Sequence, residues 1–369
     1  MKISGTHLIA SAMMLGTVAS GVALADDAPK PAPGTLAGVL DASGITEAGY
    51  VAASYYHSNG YSTFHQFDVE HDTFQLDQAA LTLAYQPKEG FGALVNIGAG
   101  EDMRILHGAE DGHDNSFDVI QGFVQYAAGP LTVIAGKYVT LAGAEVIAPT
   151  GNTQFSRSFL FFAEPLTHTG VRATYAVSDT LNVIFGVNNG WNTTSTSYGS
   201  KTGEFGIGWT PNKMFALTAQ AYVGKVPAPY DGTKTLIDFV GTYNATDALT
   251  FVLSYDAGQQ KTNGTLVAGA PTYKWNGVAA YANYAISDQW RNSLRVEYLD
   301  DKDAFQTGTK QTLKEATLTF GYDPVKSFEL RFEARYDIGN KGTPTFVRTA
   351  AGAVANNQAG LALEGVYKF

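Results

Sequence analysis

Between residues 44 and 369 the chain reads as strand-length runs joined by two alternating kinds of connection. One kind is tight: Pro87-Lys88-Glu89-Gly90, Gly129-Pro130, Ser178-Asp179, Pro211-Asn212-Lys213, Thr246-Asp247, Ser287-Asp288 and Asp323-Pro324-Val325-Lys326. All are rich in residues that favour turns. The other kind is long, polar and irregular. The runs fall near residues 44–57, 74–86, 91–100, 117–128, 131–140, 169–178, 180–190, 203–210, 214–225, 234–245, 248–258, 273–286, 289–299, 312–322, 327–338 and 356–369. That makes sixteen strands, and the ambiguous first and twelfth leave fourteen to eighteen open. A soluble sandwich would not be expected to sort its connections so regularly. A transmembrane antiparallel β-barrel of the bacterial outer membrane does, with short periplasmic turns, long outer loops and an even strand number that returns both termini to the periplasm.

The runs themselves alternate with a period of two, which places one face in an apolar and the other in a polar environment. In residues 328–338, Phe328, Leu330, Phe332, Ala334, Tyr336 and Ile338 share one face, and Glu329, Arg331, Glu333, Arg335 and Asp337 the other. The split recurs at Val171/Ala173/Tyr175/Val177 against Arg172/Thr174, and at Leu249/Phe251/Leu253/Tyr255 against Thr250/Ser254/Asp256. An arginine at the lipid midplane costs roughly 2–4 kcal/mol, so the charged face must line the lumen. The last run ends with Tyr367 and Phe369 on one face, a pattern that resembles the signal read by the outer-membrane assembly machinery.

The first 25 residues read as a signal peptide: Lys2, an apolar stretch over residues 8–22, and the small-x-small triplet Ala23-Leu24-Ala25. Residues 26–43 follow as a periplasmic linker ending in a short turn of helix, and 44–369 form the barrel. No later stretch has the ~20 apolar residues a membrane helix requires. Cysteine is absent, which excludes disulfides and thiolate metal sites. The net charge of −10 becomes one unit more negative when Lys2 is removed, and so acidic a chain repels nucleic acid. The 40 glycines and 12% aromatic residues suit a barrel with many turns and aromatic girdles, but suit a secreted all-β enzyme or sandwich equally.

The longest connection, Leu141 to Thr169, follows the fifth run and carries Phe155, Phe159, Leu160, Phe161 and Phe162. So apolar a segment is expected to fold into the lumen and narrow it, offering Glu145, Arg157, Glu164 and His168. Inward Lys137 and Arg172 flank its base. Arg291, Arg295, Arg331 and Arg335 form a ladder on the opposite wall. A pore selects by width and wall charge, and acid facing this ladder would set up a transverse field. The alternative is that Glu329, Glu333 and Glu297 neutralise the arginines within the wall. Arg157, between Phe155 and Phe159, is expected to have a carboxylate partner, with Glu145 and Glu164 the nearest.

Gly136-Lys137-Tyr138-Val139-Thr140, Glu145-Val146-Ile147-Ala148-Pro149-Thr150, Ser156-Arg157-Ser158, Thr167-His168-Thr169-Gly170-Val171-Arg172 and Asn188-Asn189-Gly190-Trp191 together resemble the OmpL-like β-barrel porin family of Gram-negative outer membranes. The specific motifs lie between about residues 131 and 192, and Leu141 stands where the family often has proline. The resemblance implies an outer-membrane pore. The expected function is passive diffusion of small hydrophilic solutes and ions; a substrate-selective channel of the same fold, preferring anions or carboxylates through the arginine ladder, is the alternative. A homotrimer would follow by analogy with other sixteen-stranded porins.

A barrel-embedded hydrolase is a more distant alternative. The chain has no G-x-S-x-G, and His168 lacks an evident serine partner. His57, His65, His71, His107 and His113 lie in the first two outer loops, with Asp68, Glu70, Asp72, Glu101, Asp102, Glu110, Asp111 and Asp114. Their spacing matches no zinc pattern. They read as solvated loops rather than a metal site, although a divalent cation could bridge them to lipopolysaccharide. No metal or cofactor is expected.

Overall fold

The computed structural model describes residues 36–61, 63–196, 199–226, 232–262, 271–340, 343, 345–349 and 351–369. The expected signal peptide, residues 1–25, and linker residues 26–35 lie outside the described residues. In chain order the elements are α1 (Leu36–Ala42), β1 (Thr46–Ser58), β2 (Thr73–Tyr85), β3 (Gly90–Ala99), α2 (Glu101–Asp111), β4 (Phe117–Ala128), β5 (Leu131–Val139), α3 (Phe159–Ala163), β6 (Thr167–Ser178), β7 (Leu181–Asn188) and β8 (Thr202–Asn212). There follow β9 (Phe215–Val226), β10 (Gly232–Asn244), β11 (Leu249–Lys261), β12 (Thr272–Ala285), β13 (Trp290–Asp301), β14 (Gln311–Val325), β15 (Phe328–Ile338), β16 (Phe346–Val347), β17 (Val354–Ala355) and β18 (Asn357–Lys368).

Sixteen strands close into one antiparallel barrel, each beside its neighbour in sequence, with β18 joining β15 to β1. Among the described residues the two short strands β16 and β17 form a separate two-stranded sheet. A lipid environment leaves no water for unpaired peptide groups, so a spanning sheet must close on itself. The seam is held at its end by reciprocal 2.9 Å bonds between Gly49 and Phe369, N–H to C=O in each direction.

The two faces sort as the period-two pattern requires. Phe332 and Tyr336 are 46% and 45% exposed, whereas Arg331 and Arg335 are 1% and 3%. Outward aromatic rings gather beside the tight turns, with Phe91–Tyr126, Phe215–Tyr243 and Trp290–Tyr322 centroids 4.5–4.9 Å apart. This is the interfacial girdle expected of outer-membrane barrels. Tyr367 and Phe369 belong to it, both exposed with ring centroids 6.2 Å apart.

Two turns are shorter than the sequence suggested. β8 continues through Pro211 and β14 through Pro324, each where the register shifts. A bulge accommodates a proline that has no N–H for the ladder. The second outer loop, read as irregular, contains α2. There Met103 and Leu106 are fully buried at helical spacing, and Gly112 ends the helix in the left-handed region at φ 77°.

Because the outward face of β15 meets lipid, Phe332→Arg is expected to destabilise the barrel by about 2–4 kcal/mol if its depth is near the midplane. Reversible denaturant unfolding in lipid vesicles measures this; an unchanged stability would mean that face is not in hydrocarbon.

Candidate functional site

The stretch between β5 and β6 is first folded upon itself. Pro149–Gly151 forms a 3₁₀ turn. Asn152 clamps it, accepting from Val146 N at 2.9 Å and donating to the carbonyls of Val146 and Ala148 at 2.8 Å. Arg157 corrects the sequence expectation. Its hydrogen bonds go to the carbonyls of Val146, Phe155 and Ile147 at 3.0, 2.6 and 2.9 Å, and among the described residues none goes to a carboxylate. Its guanidinium lies 5.7 and 5.8 Å from the rings of Phe67 and Phe161. A planar fork with five donors can tie three backbone acceptors together where one carboxylate would satisfy only one side of it.

The inward arginines of β13 and β15 bind carbonyls spread along this stretch from Pro149 to Arg157. Arg291 donates to Thr153 O at 2.7 Å, Arg295 to Ser156 O at 2.8 Å, and Arg335 to Arg157 O at 2.5 Å. Arg331 donates to Pro149 O at 3.0 Å and more weakly to Gln154 O at 3.4 Å. The acids of the same wall take the N–H groups. Glu333 accepts from Phe155 N and Ser156 N at 2.7 and 3.0 Å, and Glu297 from Phe159 N at 2.7 and 2.9 Å. Glu145 accepts from Ser158 N at 2.8 Å and pairs with Arg295 at 2.6 Å. Ser158 caps α3 through Phe161 N at 3.1 Å.

The ladder is also neutralised laterally. Arg291 pairs with Glu329, and Arg331 with Glu329 and Glu364 at 2.9 and 3.1 Å. Arg295 pairs with Glu315 at 3.0 Å, and Arg335 with Asp337 at 2.8 Å. Lys137 bonds Glu110 and Asp118 at 2.6 and 2.7 Å, and Arg172 pairs with Glu204 at 2.7 Å. Glu315, Glu364 and Glu204 went unnamed in the sequence reading. Each has the parity of its strand's inward face, which is the signal that could have identified it.

His168 lies within β6 rather than in the loop. It is fully buried, bonds Gly190 O at 3.1 Å through Nδ1 and stacks on Tyr222 at 4.9 Å. Glu164, at the end of α3, lies with Asp238 and Asp256 of β10 and β11. Burial and the charge of Asp238 push its carboxyl well above the usual carboxylate range.

The outer-loop histidines are engaged in pairs. His57 and His71 meet Asp72 at 2.5 and 2.7 Å, and His107 meets Asp118 at 3.2 Å. His65 is enclosed, with Nδ1 on Asp68 at 2.6 Å and Nε2 on Asp337 of β15 at 2.8 Å. This ties the first outer loop to the wall. Burial and the Arg335 charge oppose protonation of His65, but Asp68 and Asp337 outweigh them and raise its pKa above 6.5.

A closed sixteen-stranded barrel with an apolar exterior, a charged interior and an aromatic girdle defines the outer-membrane porin class. The chain belongs to the family described as "Putative beta-barrel porin-2, OmpL-like", whose model matches residues 40–369. Its place is the outer membrane of a Gram-negative bacterium. It is similar in structure to OprB of Pseudomonas putida (TM-score 0.61, 12% identity, 90% of this chain and 96% of that one). It also resembles the anion-selective porin of Comamonas acidovorans (0.60, 12%, 88% and 99%) and the channel DcaP of Acinetobacter baumannii (0.58, 14%, 88% and 97%). At these identities the likeness concerns the fold alone. None of the curated proteins matches the chain.

Two outcomes are expected. Arg295→Ala leaves Glu145 and Glu315 without their cation and should cost about 3–5 kcal/mol, measured by denaturant unfolding. The His65 pairing is complete below pH 6.5 and is lost as pH rises through the raised pKa. Protease nicking within residues 59–72 should therefore increase on the alkaline side in the wild type and be insensitive to pH in His65→Gln. Increased nicking on the acid side would contradict the assignment.

Proposed function

We propose that the chain is a passive diffusion channel for small hydrophilic solutes and ions, with residues 140–166 folded into the bore as its constriction. The observation that carries this reading is the row of bonds from Arg291, Arg295, Arg331 and Arg335 to the carbonyls of Thr153, Ser156, Pro149 and Arg157 of that segment. These side chains stand on the face opposite the lipid-exposed one, so whatever they hold lies on the lumen side of the sheet. Glu145, Arg157 and Glu164 are then structural parts of the constriction, while Lys137 and Arg172 brace its base.

The charge pairing favours a weakly selective channel over the anion-preferring alternative. Each ladder arginine has a carboxylate within ion-pair distance, so the wall presents alternating dipoles rather than a cationic surface. The surroundings of His168, a backbone carbonyl and a stacked tyrosine, are those of a structural histidine rather than a hydrolase base. A homotrimer is part of the proposal, supported by the trimer form named for OmpT of Vibrio cholerae. So is recognition by the assembly machinery through exposed Tyr367 and Phe369. Outer-membrane lipid and lipopolysaccharide would surround the exterior face.

Deleting residues 144–165 should raise single-channel conductance in a planar bilayer, and an unchanged conductance would place the segment outside the pore. Arg331→Ala with Arg335→Ala should raise conductance by loosening the segment while the reversal potential in a salt gradient shifts little. A large shift toward cations at constant conductance would instead establish a selectivity ladder.

A further inference from the structure

The carboxylates that meet the arginine ladder, Lys137 and the loop histidines have a cation beside them. Among the described residues, Glu164, Asp238 and Asp256 do not. All three are buried, and one oxygen of each lies within 4.8 Å of the others. Asp238 and Asp256 are directly opposed in the β10–β11 register, an arrangement in which like charges repel. Among the described residues, neither oxygen of Asp238, neither oxygen of Asp256, nor Oε2 of Glu164 has a well-formed donor; the contacts that do reach them are the Gly143 backbone at Asp238 and the carboxyls of one another. Among the described residues no ion pair reaches any of the three.

A second feature concerns the backbone. Gly143 stands at φ +83°, and a Cβ there would overlap both carboxylate oxygens of Glu164. The absence of a side chain lets the start of the segment close over the same carboxylate that its far end delivers. Three buried carboxylates without a cation, five of their oxygens lacking a well-formed donor, therefore converge from three separate parts of the chain, beneath a cover that only glycine fits.

Three buried carboxylates in such proximity need a counter-charge or protons. Every donor in the cluster is a hard oxygen, which suits a cation of the calcium type rather than a soft metal. We propose that Glu164, Asp238 and Asp256 bind a hard divalent cation, of which Ca²⁺ is the probe, and that the ion ties the far end of segment 140–166 to β10 and β11. The neighbouring stretch of wall, β13 and β15, holds the middle of the segment through arginines; the ion would hold its end through acids. The position of the tie rests on the constriction reading, but the binding itself does not.

The test is calorimetric titration of CaCl₂ into the full mature chain, refolded in detergent and stripped with chelator at neutral pH. Saturable binding of one Ca²⁺ per chain is expected. Asp238→Asn should weaken it at least roughly 10–100-fold, the effect of losing even an outer-shell partner. Glu164→Gln, which alters the segment and leaves the barrel strands intact, should do the same. Heat-modifiable gel mobility confirms that each variant is folded. Absence of saturable binding would overturn the proposal and leave shared protons as the means of neutralisation. Binding unchanged in both variants would also overturn it, assigning the ion to the exposed outer-loop acids. Ca²⁺ bound normally by a chain whose conductance ignores deletion of residues 144–165 would retain the ion site and reject only the constriction reading.

Discussion

Peptide groups of one segment bonded to charged side chains of one wall are the interaction from which the interior of this barrel follows. A loop entering the bore leaves water behind, and its N–H and C=O groups then need partners. The inward face of β13 and β15 supplies both signs at period-two spacing: guanidinium groups for the carbonyls, carboxylates for the amides. Bonds to charged groups are worth about 1.5–3 kcal/mol each, and they are directional, so the wall fixes the course of the segment as well as its depth. The interleaving of Arg and Glu on β15 answers two needs together, because the residues that bind the loop also neutralise their neighbours.

The same arrangement accounts for the aromatic content of the segment. Phe159 and Leu160 pack with Trp275, Leu299 and Leu313 of the wall, and Phe161 with Phe67 and Met103 beneath the outer loops. The apolar side chains exclude water from the charged bonds, and a lower local dielectric strengthens those bonds. His65 and Asp337 extend the network to the first outer loop, so outer loop, inward segment and wall share one set of contacts around Arg335. In the proposed constriction, packing against the wall rather than a free loop would set the width of the bore.

Much of the fold was legible because membrane barrels write their architecture in simple rules. Alternating turn lengths gave the strand number and sidedness, and FELRFEARYDI separated lipid from lumen without ambiguity. The prolines at 211 and 324 misled at the strand ends, since a bulge rather than a turn absorbs the missing donor. Helix α2 was hidden by its polar surface, only Met103 and Leu106 marking the buried side. The site was legible by parity but not by partner. Arg157 was expected to meet a carboxylate because backbone carbonyls leave no trace in a sequence. Glu164, Asp238 and Asp256 are far apart in the chain, and only the β10–β11 register and the path of the loop bring them together.

The central claim, that the segment lies inside the bore against the β12–β15 wall, can be tested without a pore measurement. Thr153 Oγ1 and Asn283 Oδ1 of β12 are 3.2 Å apart, and the chain has no cysteine of its own. Thr153→Cys and Asn283→Cys together, treated with a short bis-thiol linker in outer membranes, should cross-link efficiently while each single variant remains monomeric and unlinked. If both thiols react with the reagent but no intramolecular link forms, the segment does not lie against that wall, and the account of the interior given above is wrong.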